Sequence, residues 1–179
     1  MAQARLVLEE LRKNNVTHVV GLPDNASARL FELLENEDSI RAVRVTREGE
    51  AFALAAGLWI GGAAPVVLVQ NTGFFESGDS FRGTVTRMRV PLICLITYRG
   101  YAKKGFAKDD CAGAPPDANA LSDARLDSAA LITEPTLKAW GLSFDFLHTD
   151  EDVPKITEAR RRAEKCAMPF AVLITRDLT

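Results

Sequence analysis

The sequence predicts an α/β fold, in which an open, mainly parallel sheet carries helices on both faces. Short runs of aliphatic residues alternate along the chain with stretches whose apolar residues recur at helical spacing. Some of these runs are almost continuously apolar, such as Val66-Val67-Leu68-Val69, which is typical of strands buried on both faces. At 179 residues the chain is long enough to form one domain with its own core.

Helices and strands alternate from the start of the chain. Helical spacing predicts a first helix over Leu6–Leu11, and the run His18–Leu22 predicts a strand that ends at Pro23. The same patterns predict helices over Ala26–Leu34, about Glu48–Gly61 and Gly73–Met88, and strands over Ile40–Thr46, Pro65–Val69 and Pro91–Ile96. The alternation resumes with Pro135–Trp140, Phe144–Leu147, a charged helix over Glu151–Cys166, and Pro169–Thr175.

The segment from Tyr98 to about Glu134 departs from this alternation. It is rich in Gly, Asp, Ala and Pro, and its apolar residues show little periodicity. Loops of this length are uncommon in compact domains and are usually functional or mobile. We therefore expect a long, mobile loop at about 98–134, inside a single domain of residues 1–179.

Composition and charge argue against several kinds of partner. The 22 basic and 24 acidic residues leave the chain near neutral, so no electrostatic footprint for nucleic acid is present. No apolar run approaches the length needed to cross a membrane, and the first residues lead into an amphipathic pattern and not into a signal-peptide core. The three cysteines match no metal-binding spacing. We expect a cytoplasmic protein without nucleic-acid or membrane partners.

Polar residues follow three of the predicted strands. The segments are Gly21–Asn25, Thr46–Glu50 and Gln70–Gly73, and each leads from a strand into a helix. Ligands of open α/β sheets bind beyond the carboxyl ends of the strands. The three segments therefore predict a binding site at one edge of the sheet.

Glu48 is the leading candidate within these segments. An acid in the first turn of a helix can simply offset the helix dipole, and position alone does not separate that role from a catalytic one. Gly49 costs about 1 kcal/mol relative to alanine inside a helix, which suggests that another group approaches the backbone closely. The helix that follows is rich in alanine and glycine, so a neighbouring element can pack tightly against it.

These segments resemble the pyrimidine-binding (PYR) domain of thiamine-diphosphate enzymes. The run Arg47-Glu48-Gly49-Glu50-Ala51, followed by Ala55-Ala56-Gly57-Leu58, is similar to the family's motif, in which a glutamate precedes an alanine-rich helix and a glycine nine positions on. The spacing assigns the motif's glutamate to Glu48, although the family often has histidine where Arg47 stands. Gly21–Asn25 is similar to the family's Gly-x-Pro loop, and Gln70–Gly73 to the turn after its third strand. The likeness extends over nearly the whole chain and, through Tyr98-Arg99-Gly100 and Leu137–Gly141, is greatest to sulfopyruvate decarboxylase alpha subunits and phosphonopyruvate decarboxylases.

The resemblance implies a thiamine-dependent 2-oxo acid decarboxylase. Glu48 would hydrogen-bond the N1′ nitrogen of thiamine diphosphate and so promote removal of the cofactor's C2 proton. The family holds Mg²⁺ and the diphosphate through a Gly-Asp-Gly motif, and this sequence contains none. A diphosphate-binding beta subunit would therefore hold Mg²⁺ and complete an interface-bound cofactor site, in an alpha2beta2 or larger assembly.

The resemblance also assigns roles to the polar segments. Gln70, Asn71, Thr72 and Gly73 would contact the cofactor together with Glu48. Asp24, Asn25 and Arg99 would bind the substrate, whose sulfonate or phosphonate tail calls for a cation. Plain turn formation remains an alternative for Asp24, Asn25, Gln70 and Asn71. Lys103 and Lys104 are further candidates for the cation. For all three basic residues, Arg99 included, a charge that is simply solvated on the loop remains an alternative.

Other functions remain open from the sequence. The same cofactor could serve a carboligase of the acetolactate-synthase type, or a decarboxylase of an unsubstituted 2-oxo acid. A PYR domain could also act as a non-catalytic regulatory or assembly module. A generic nucleotide-binding domain is disfavoured because no strand leads into a Gly-x-Gly-x-x-Gly loop.

Overall fold

A six-stranded sheet forms the centre of the molecule. The computed structural model describes residues 1–103 and 116–179. The strands run in the order β2-β1-β3-β4-β6-β5, and every neighbouring pair is parallel. Their bounds are β1 His18–Gly21, β2 Arg41–Arg44, β3 Pro65–Gln70, β4 Ile93–Thr97, β5 Ser143–Leu147 and β6 Phe170–Ile174. The α/β fold with a mainly parallel sheet is thus confirmed, and all of the described sheet is parallel.

Helices cover both faces of the sheet. Their bounds are α1 Ala4–Lys13, α2 Ala28–Glu35, α3 Glu48–Ile60, α4 Asn71–Glu76, α5 Gly78–Ser80, α6 Ala118–Ser122, α7 Ser128–Ala139 and α8 Lys155–Cys166. Helices α1, α2 and α8 pack on one face, and α3, α4 and α7 pack on the other. In the part of the chain that the structure describes, none of these helices is long and apolar enough to cross a membrane.

The alternation of side chains along β3 divides the core into two layers. Val66 and Leu68 face the layer under α1, α2 and α8. Val67 and Val69 face the layer under α3, α4 and α7. All four side chains are almost fully buried. This explains the continuous apolar run, because both faces of the strand lie against helices.

The parallel register brings the strand ends to one edge. Gly21 at the end of β1 is level with Arg44 of β2 and Leu68 of β3, and Gln70 at the end of β3 is level with Thr97 of β4. A Cβ on Gly21 would lie 1.8 Å from the carbonyl oxygen of Leu68, so only glycine fits there. The polar segments that follow these strands therefore share the carboxyl edge of the sheet.

The segment predicted as a loop at about 98–134 contains helices. A short 3₁₀ turn spans Tyr101–Lys103, and α6 and the first half of α7 lie before residue 134. The start of α7 was missed because Pro135 lies inside the helix and interrupts the hydrogen-bond ladder that sequence patterns assume. Asp127 caps α7 by accepting a hydrogen bond from the Ala130 N–H at 3.1 Å. Residues 104–115 lie outside the described residues.

The segment predicted as one helix over Gly73–Met88 is broken. It consists of α4, which begins at Asn71, the short α5 and a π-helical turn over Phe81–Thr86. Ser77 separates the first two, and its hydroxyl donates a hydrogen bond to the Gly73 carbonyl at 2.6 Å. Such side-chain bonds to the preceding turn often bend helices. By contrast, the helix predicted at Glu48 is confirmed as α3.

Candidate functional site

The carboxylate of Asp24 joins the ends of three strands. One oxygen accepts hydrogen bonds from the Gln70 side-chain amide at 3.0 Å and from the Thr97 hydroxyl at 2.5 Å. The other accepts from the Ser27 backbone N–H at 2.8 Å and from the Ser27 hydroxyl. Asp24 follows β1, whereas Gln70 ends β3 and Thr97 ends β4. These four donors hold Asp24 in one orientation and tie the edge of the sheet together.

Gln70 is held at both ends of its amide. Its NH₂ group donates to Asp24, and its carbonyl oxygen accepts from the Thr72 hydroxyl at 2.8 Å. The two bonds fix which way the amide faces, and both Gln70 and Thr72 remain partly exposed. The predicted residues Asp24, Gln70 and Thr72 are therefore brought into one hydrogen-bonded group.

A cleft of about 850 Å³ opens beside this group. Predicted site residues that line it are Asp24, Asn25, Gln70 and Arg99, and they are joined by Tyr101, Asp127 and Arg176. Asn25 is exposed and makes no side-chain hydrogen bond with the residues the structure describes. We call this space the carboxyl-edge cleft. It is a place where a small polar ligand can meet side chains from four strand ends.

Arg99 is a cation that lines the carboxyl-edge cleft together with Asp24 and Asn25. Its side chain is 63% exposed, and its Nε lies 3.8 Å from an Asp127 carboxylate oxygen. This is the limit of an ion pair, so Asp127 does not fully neutralise the guanidinium. Lys103 ends the 3₁₀ turn that follows, and Lys104 lies outside the described residues.

Asn71 lies away from the cleft. Its side chain is fully buried and donates to the Thr133 hydroxyl at 2.9 Å and to the Arg99 carbonyl at 3.1 Å. Its own oxygen accepts the Thr72 backbone N–H at 3.0 Å. Asn71 therefore ties the start of α4 to α7 and to the backbone at Arg99, and no group of its amide is directed at the cleft.

Glu48 begins α3 and lies against the backbone of α4. A Cβ on Gly73 would lie 2.3 Å from the Cγ of Glu48 and 2.5 Å from its carboxyl carbon. The Glu48 side chain is partly buried. Within residues 1–103 and 116–179 its carboxylate accepts no hydrogen bond and makes no ion pair. Glu48 does not line the carboxyl-edge cleft, so the predicted residues fall into two neighbouring groups, which adjoin at Thr72 and Gly73 of α4.

The two carboxylates beside Glu48, those of Glu50 and Glu76, both accept hydrogen bonds from other residues. Glu50 accepts hydrogen bonds from the Thr46 backbone and hydroxyl, both at 3.0 Å, and these bonds lower its pKa. Glu76 accepts from the Gly49 N–H at 2.9 Å and from the Arg47 guanidinium. Both hydrogen bonds lower the pKa of Glu76, and the bond from Arg47 has the larger effect. Glu76 thus takes the Gly49 N–H in the first turn of α3, and Glu50 takes the N–H groups of Thr46 and Arg47 just before it. Glu48 is left available to accept a hydrogen bond from a ligand.

Sequence reasoning missed several residues of the site. Ser27 follows Asp24 by three positions, a spacing that favours a side-chain-to-backbone turn and could have been recognised. Thr97 is a polar residue at the end of an apolar strand, which is a weaker signal. Glu76 carries no local signal at all, because its contacts with Arg47 and Gly49 join two different helices.

Comparison with known proteins finds a matching family and similar sequences. The sequence model of the family described as thiamine pyrophosphate enzyme, N-terminal TPP binding domain, matches residues 1–120. A phosphonopyruvate decarboxylase of Streptomyces viridochromogenes is 33% identical over 85 residues, which cover 48% of this chain and 21% of that protein. One from Streptomyces hygroscopicus is 32% identical over 100 residues, 56% of this chain and 25% of that protein.

A protein named as a decarboxylase subunit is also similar. The sulfopyruvate decarboxylase subunit alpha of Methanocaldococcus jannaschii is 26% identical over 98 residues, which cover 55% of this chain and 58% of that subunit. The chain thus spans about a quarter or less of the two phosphonopyruvate decarboxylases and less than two thirds of this alpha subunit. Since the family model matches residues 1–120 of 179, and the sheet is the parallel one that the resemblance implies, this chain belongs to the thiamine pyrophosphate enzyme family as an N-terminal TPP-binding domain.

Proposed function

We propose that this chain is the pyrimidine-binding (alpha) subunit of a thiamine-diphosphate-dependent 2-oxo acid decarboxylase. The observation that carries the proposal is the carboxylate of Glu48. Glu48 begins α3 at the carboxyl edge, and its side chain lies against Gly73. Its carboxylate accepts no hydrogen bond from the described residues, whereas those of Glu50 and Glu76 beside it do. A carboxylate that only capped the helix would be engaged by the helix's own N–H groups.

The aminopyrimidine of thiamine diphosphate suits this carboxylate. When bound, the cofactor supplies an electron sink for the charge left behind by departing CO₂. Glu48 would hold a proton between its carboxyl group and the N1′ nitrogen of the ring. Gly73 has no side chain, so the carboxylate lies close against the start of α4. Gln70 and Thr72, held in one orientation, would contact the cofactor from the neighbouring strand end.

The substrate would occupy the carboxyl-edge cleft. Asn25 and Arg99 present side chains to it, and the guanidinium of Arg99 suits a phosphonate or sulfonate oxygen. Asp24 has all its accepting positions taken by Gln70, Thr97 and Ser27, so its part in the substrate site is to hold Gln70 in place. The similarity to a phosphonopyruvate decarboxylase and to a sulfopyruvate decarboxylase subunit points to phosphonopyruvate or sulfopyruvate as the substrate.

A beta subunit would complete the enzyme. The sequence contains no Gly-Asp-Gly segment, and in the proposed assembly the beta subunit would hold the diphosphate and Mg²⁺. Several similar proteins are themselves named alpha subunits. A closed alpha2beta2 arrangement, or a larger one, is the simplest assembly.

Activity of the assembled enzyme tests this function. An affinity-tagged chain is recovered from its source organism together with its partner, and CO₂ release is measured with sulfopyruvate, phosphonopyruvate and pyruvate. We expect decarboxylation that requires thiamine diphosphate and Mg²⁺ and that Glu48→Gln abolishes. Product analysis separates a decarboxylase, which releases an aldehyde, from a carboligase, which joins two substrates. Wild-type rates in the Glu48→Gln enzyme would refute the proposal.

A further inference from the structure

Glu76, the last residue of α4, bridges the two residues that flank Glu48. One oxygen of its carboxylate accepts the backbone N–H of Gly49 at 2.9 Å. The other accepts the Nε of Arg47 at 3.1 Å, and the Arg47 terminal nitrogen also contacts it. The residues before and after Glu48 are therefore both attached to the same side chain of a different helix.

We propose that Glu76 is the positioning residue of Glu48, fixing the direction in which the Glu48 carboxylate meets the cofactor. This inference rests on the function proposed above. Glu76 itself points at Arg47 and Gly49 and not at the reacting atoms. It acts only through the backbone that carries Glu48.

Helix α4 holds Glu48 in two places at once. Gly73 and Glu76 lie three positions apart on α4, and residues at this spacing share one face of a helix. Gly73 supports the side chain of Glu48 through van der Waals contact, while Glu76 fixes the backbone on one side of Glu48 through the Gly49 N–H and holds the Arg47 side chain on the other. A flexible glutamate attached at both its backbone and its stem has few remaining orientations, and catalysis depends on such pre-set geometry.

The glycine after Glu48 is explained by the same contact. A Cβ on Gly49 would lie 3.2 Å from the Glu76 carboxylate oxygen, which is tighter than an ordinary contact. Glycine at this position lets the carboxylate reach the N–H without displacement, in spite of its cost inside a helix. The ion pair itself is exposed, with 72% of the Arg47 side chain and 36% of the Glu76 side chain accessible. Such pairs add little to fold stability, so the main consequence of the bridge is local geometry.

Variants of Glu76 test the inference in the assembled enzyme. Glu76→Ala removes both contacts, whereas Glu76→Gln keeps an oxygen that can accept the Gly49 N–H. The control is Glu32→Ala on α2, because the Arg29–Glu32 ion pair is similarly exposed, with an N–O distance of 2.8 Å. All three are compared with Glu48→Gln for kcat, KM and thermal unfolding. The Gly49 amide is followed by ¹⁵N NMR in the isolated chain.

The expected pattern separates positioning from a general structural role. Glu76→Ala should lower kcat about 10- to 100-fold with KM changed by less than about twofold, and should shift Tm by less than about 4 °C. Glu76→Gln should recover to within about fivefold of the wild-type kcat, since the N–H acceptor remains. Glu32→Ala should match the wild type in kcat. The Gly49 amide should lose its protection from exchange in Glu76→Ala only.

Several results would overturn the inference. Wild-type kcat in Glu76→Ala, together with an inactive Glu48→Gln, removes Glu76 from the role but leaves the proposed function intact. A Gly49 amide that exchanges freely in the wild-type chain, or equal losses in Glu76→Ala and Glu76→Gln, shows that the N–H contact does not set the geometry. Full activity of Glu48→Gln removes the proposed function, and the positioning role with it.

Discussion

Glu48 and Gly73 belong to different helices, yet a Cβ on Gly73 would lie 2.4 Å from the Oε1 of Glu48. The glutamate that begins α3 is therefore in contact with the backbone of α4. Because α4 starts where β3 ends, this contact links the Glu48 side chain to the strand that also supplies Gln70.

Gly73→Ala should displace the Glu48 carboxylate. The added methyl group overlaps the Glu48 side chain, which can rotate away, so we expect a large loss of kcat, about 10- to 100-fold, with a Tm change of only about 4 °C or less. Steady-state kinetics and thermal unfolding of the assembled enzyme measure both. Gly83→Ala is the matched control because a Cβ there meets nothing within 4 Å. Equal rates in the two variants would show that the Glu48–Gly73 contact does not matter.

The bridge between Glu76 and Gly49 should persist into acidic solution. The hydrogen bonds from Arg47 and from the Gly49 N–H hold the pKa of Glu76 below its ordinary 4.5. A lowered folded-state pKa means that the stabilisation is present above pH 4.5 and is lost as the pH falls through the lowered value. The Gly49 amide resonance should therefore stay constant from about pH 8 to about pH 5. Below that range the resonance should shift as Glu76 takes up a proton, and in Glu76→Gln this shift should disappear. A wild-type shift with its midpoint above pH 4.5 would contradict the prediction.

The fold could be predicted from the sequence where the local pattern and the tertiary environment agree. Val66–Val69 is apolar at every position because helices cover both sides of β3, and such a run can hardly form any other element of this size. The start of α7 could not be predicted, because Pro135 lies inside the helix and is typical of a helix end. The helix forms because Asp127 caps it and because Leu131 and Leu137 pack in the core.

The candidate site could be predicted from the sequence only in part. Glu48, Gln70 and Asp24 follow strands, and the parallel register necessarily places strand ends along one edge. Which carboxylate is free and which is occupied depends on partners distant in sequence. Glu76 meets Gly49 across two helices, and Thr97 meets Asp24 across two strands. No periodicity or turn pattern encodes those pairings.

Asp24→Ala should destabilise the fold more than a change at a partly exposed turn normally does. It leaves the buried Thr97 hydroxyl, which loses its acceptor at 2.5 Å, with only the distant Val69 carbonyl at 3.5 Å among the described residues, and it frees Gln70 and Ser27. Leaving a buried polar group unsatisfied costs about 1–3 kcal/mol. Urea unfolding should show a loss in that range. Asn25→Ala in the same loop should change the free energy of unfolding by less than about 0.5 kcal/mol, and equal losses in the two variants would contradict the role of Asp24.

Asn71→Ala distinguishes a packing role from a cofactor contact. The side chain is buried and makes three hydrogen bonds, to Thr133, to the Arg99 carbonyl and from the Thr72 N–H. We expect the free energy of unfolding of the isolated chain to fall by about 2–3 kcal/mol, as measured by urea unfolding without any cofactor. Unchanged stability combined with weaker thiamine diphosphate binding in the assembled enzyme would instead assign Asn71 to the cofactor.

Arg99→Ala should weaken binding of the substrate's anionic tail without slowing the chemical step. The guanidinium is exposed to the carboxyl-edge cleft and only weakly balanced by Asp127 at 3.8 Å, so it can pair with a phosphonate or sulfonate. We expect KM for such substrates to rise about 10- to 100-fold with kcat changed little, because the contact is made equally in the ground and transition states. Pyruvate has no such tail, so its KM should not change. The control is Arg125→Ala, since Arg125 is exposed and paired with Asp123 at 2.6 Å. An equal rise in KM for pyruvate would show that Arg99 binds the shared carboxylate or supports the cleft, and does not select for the tail.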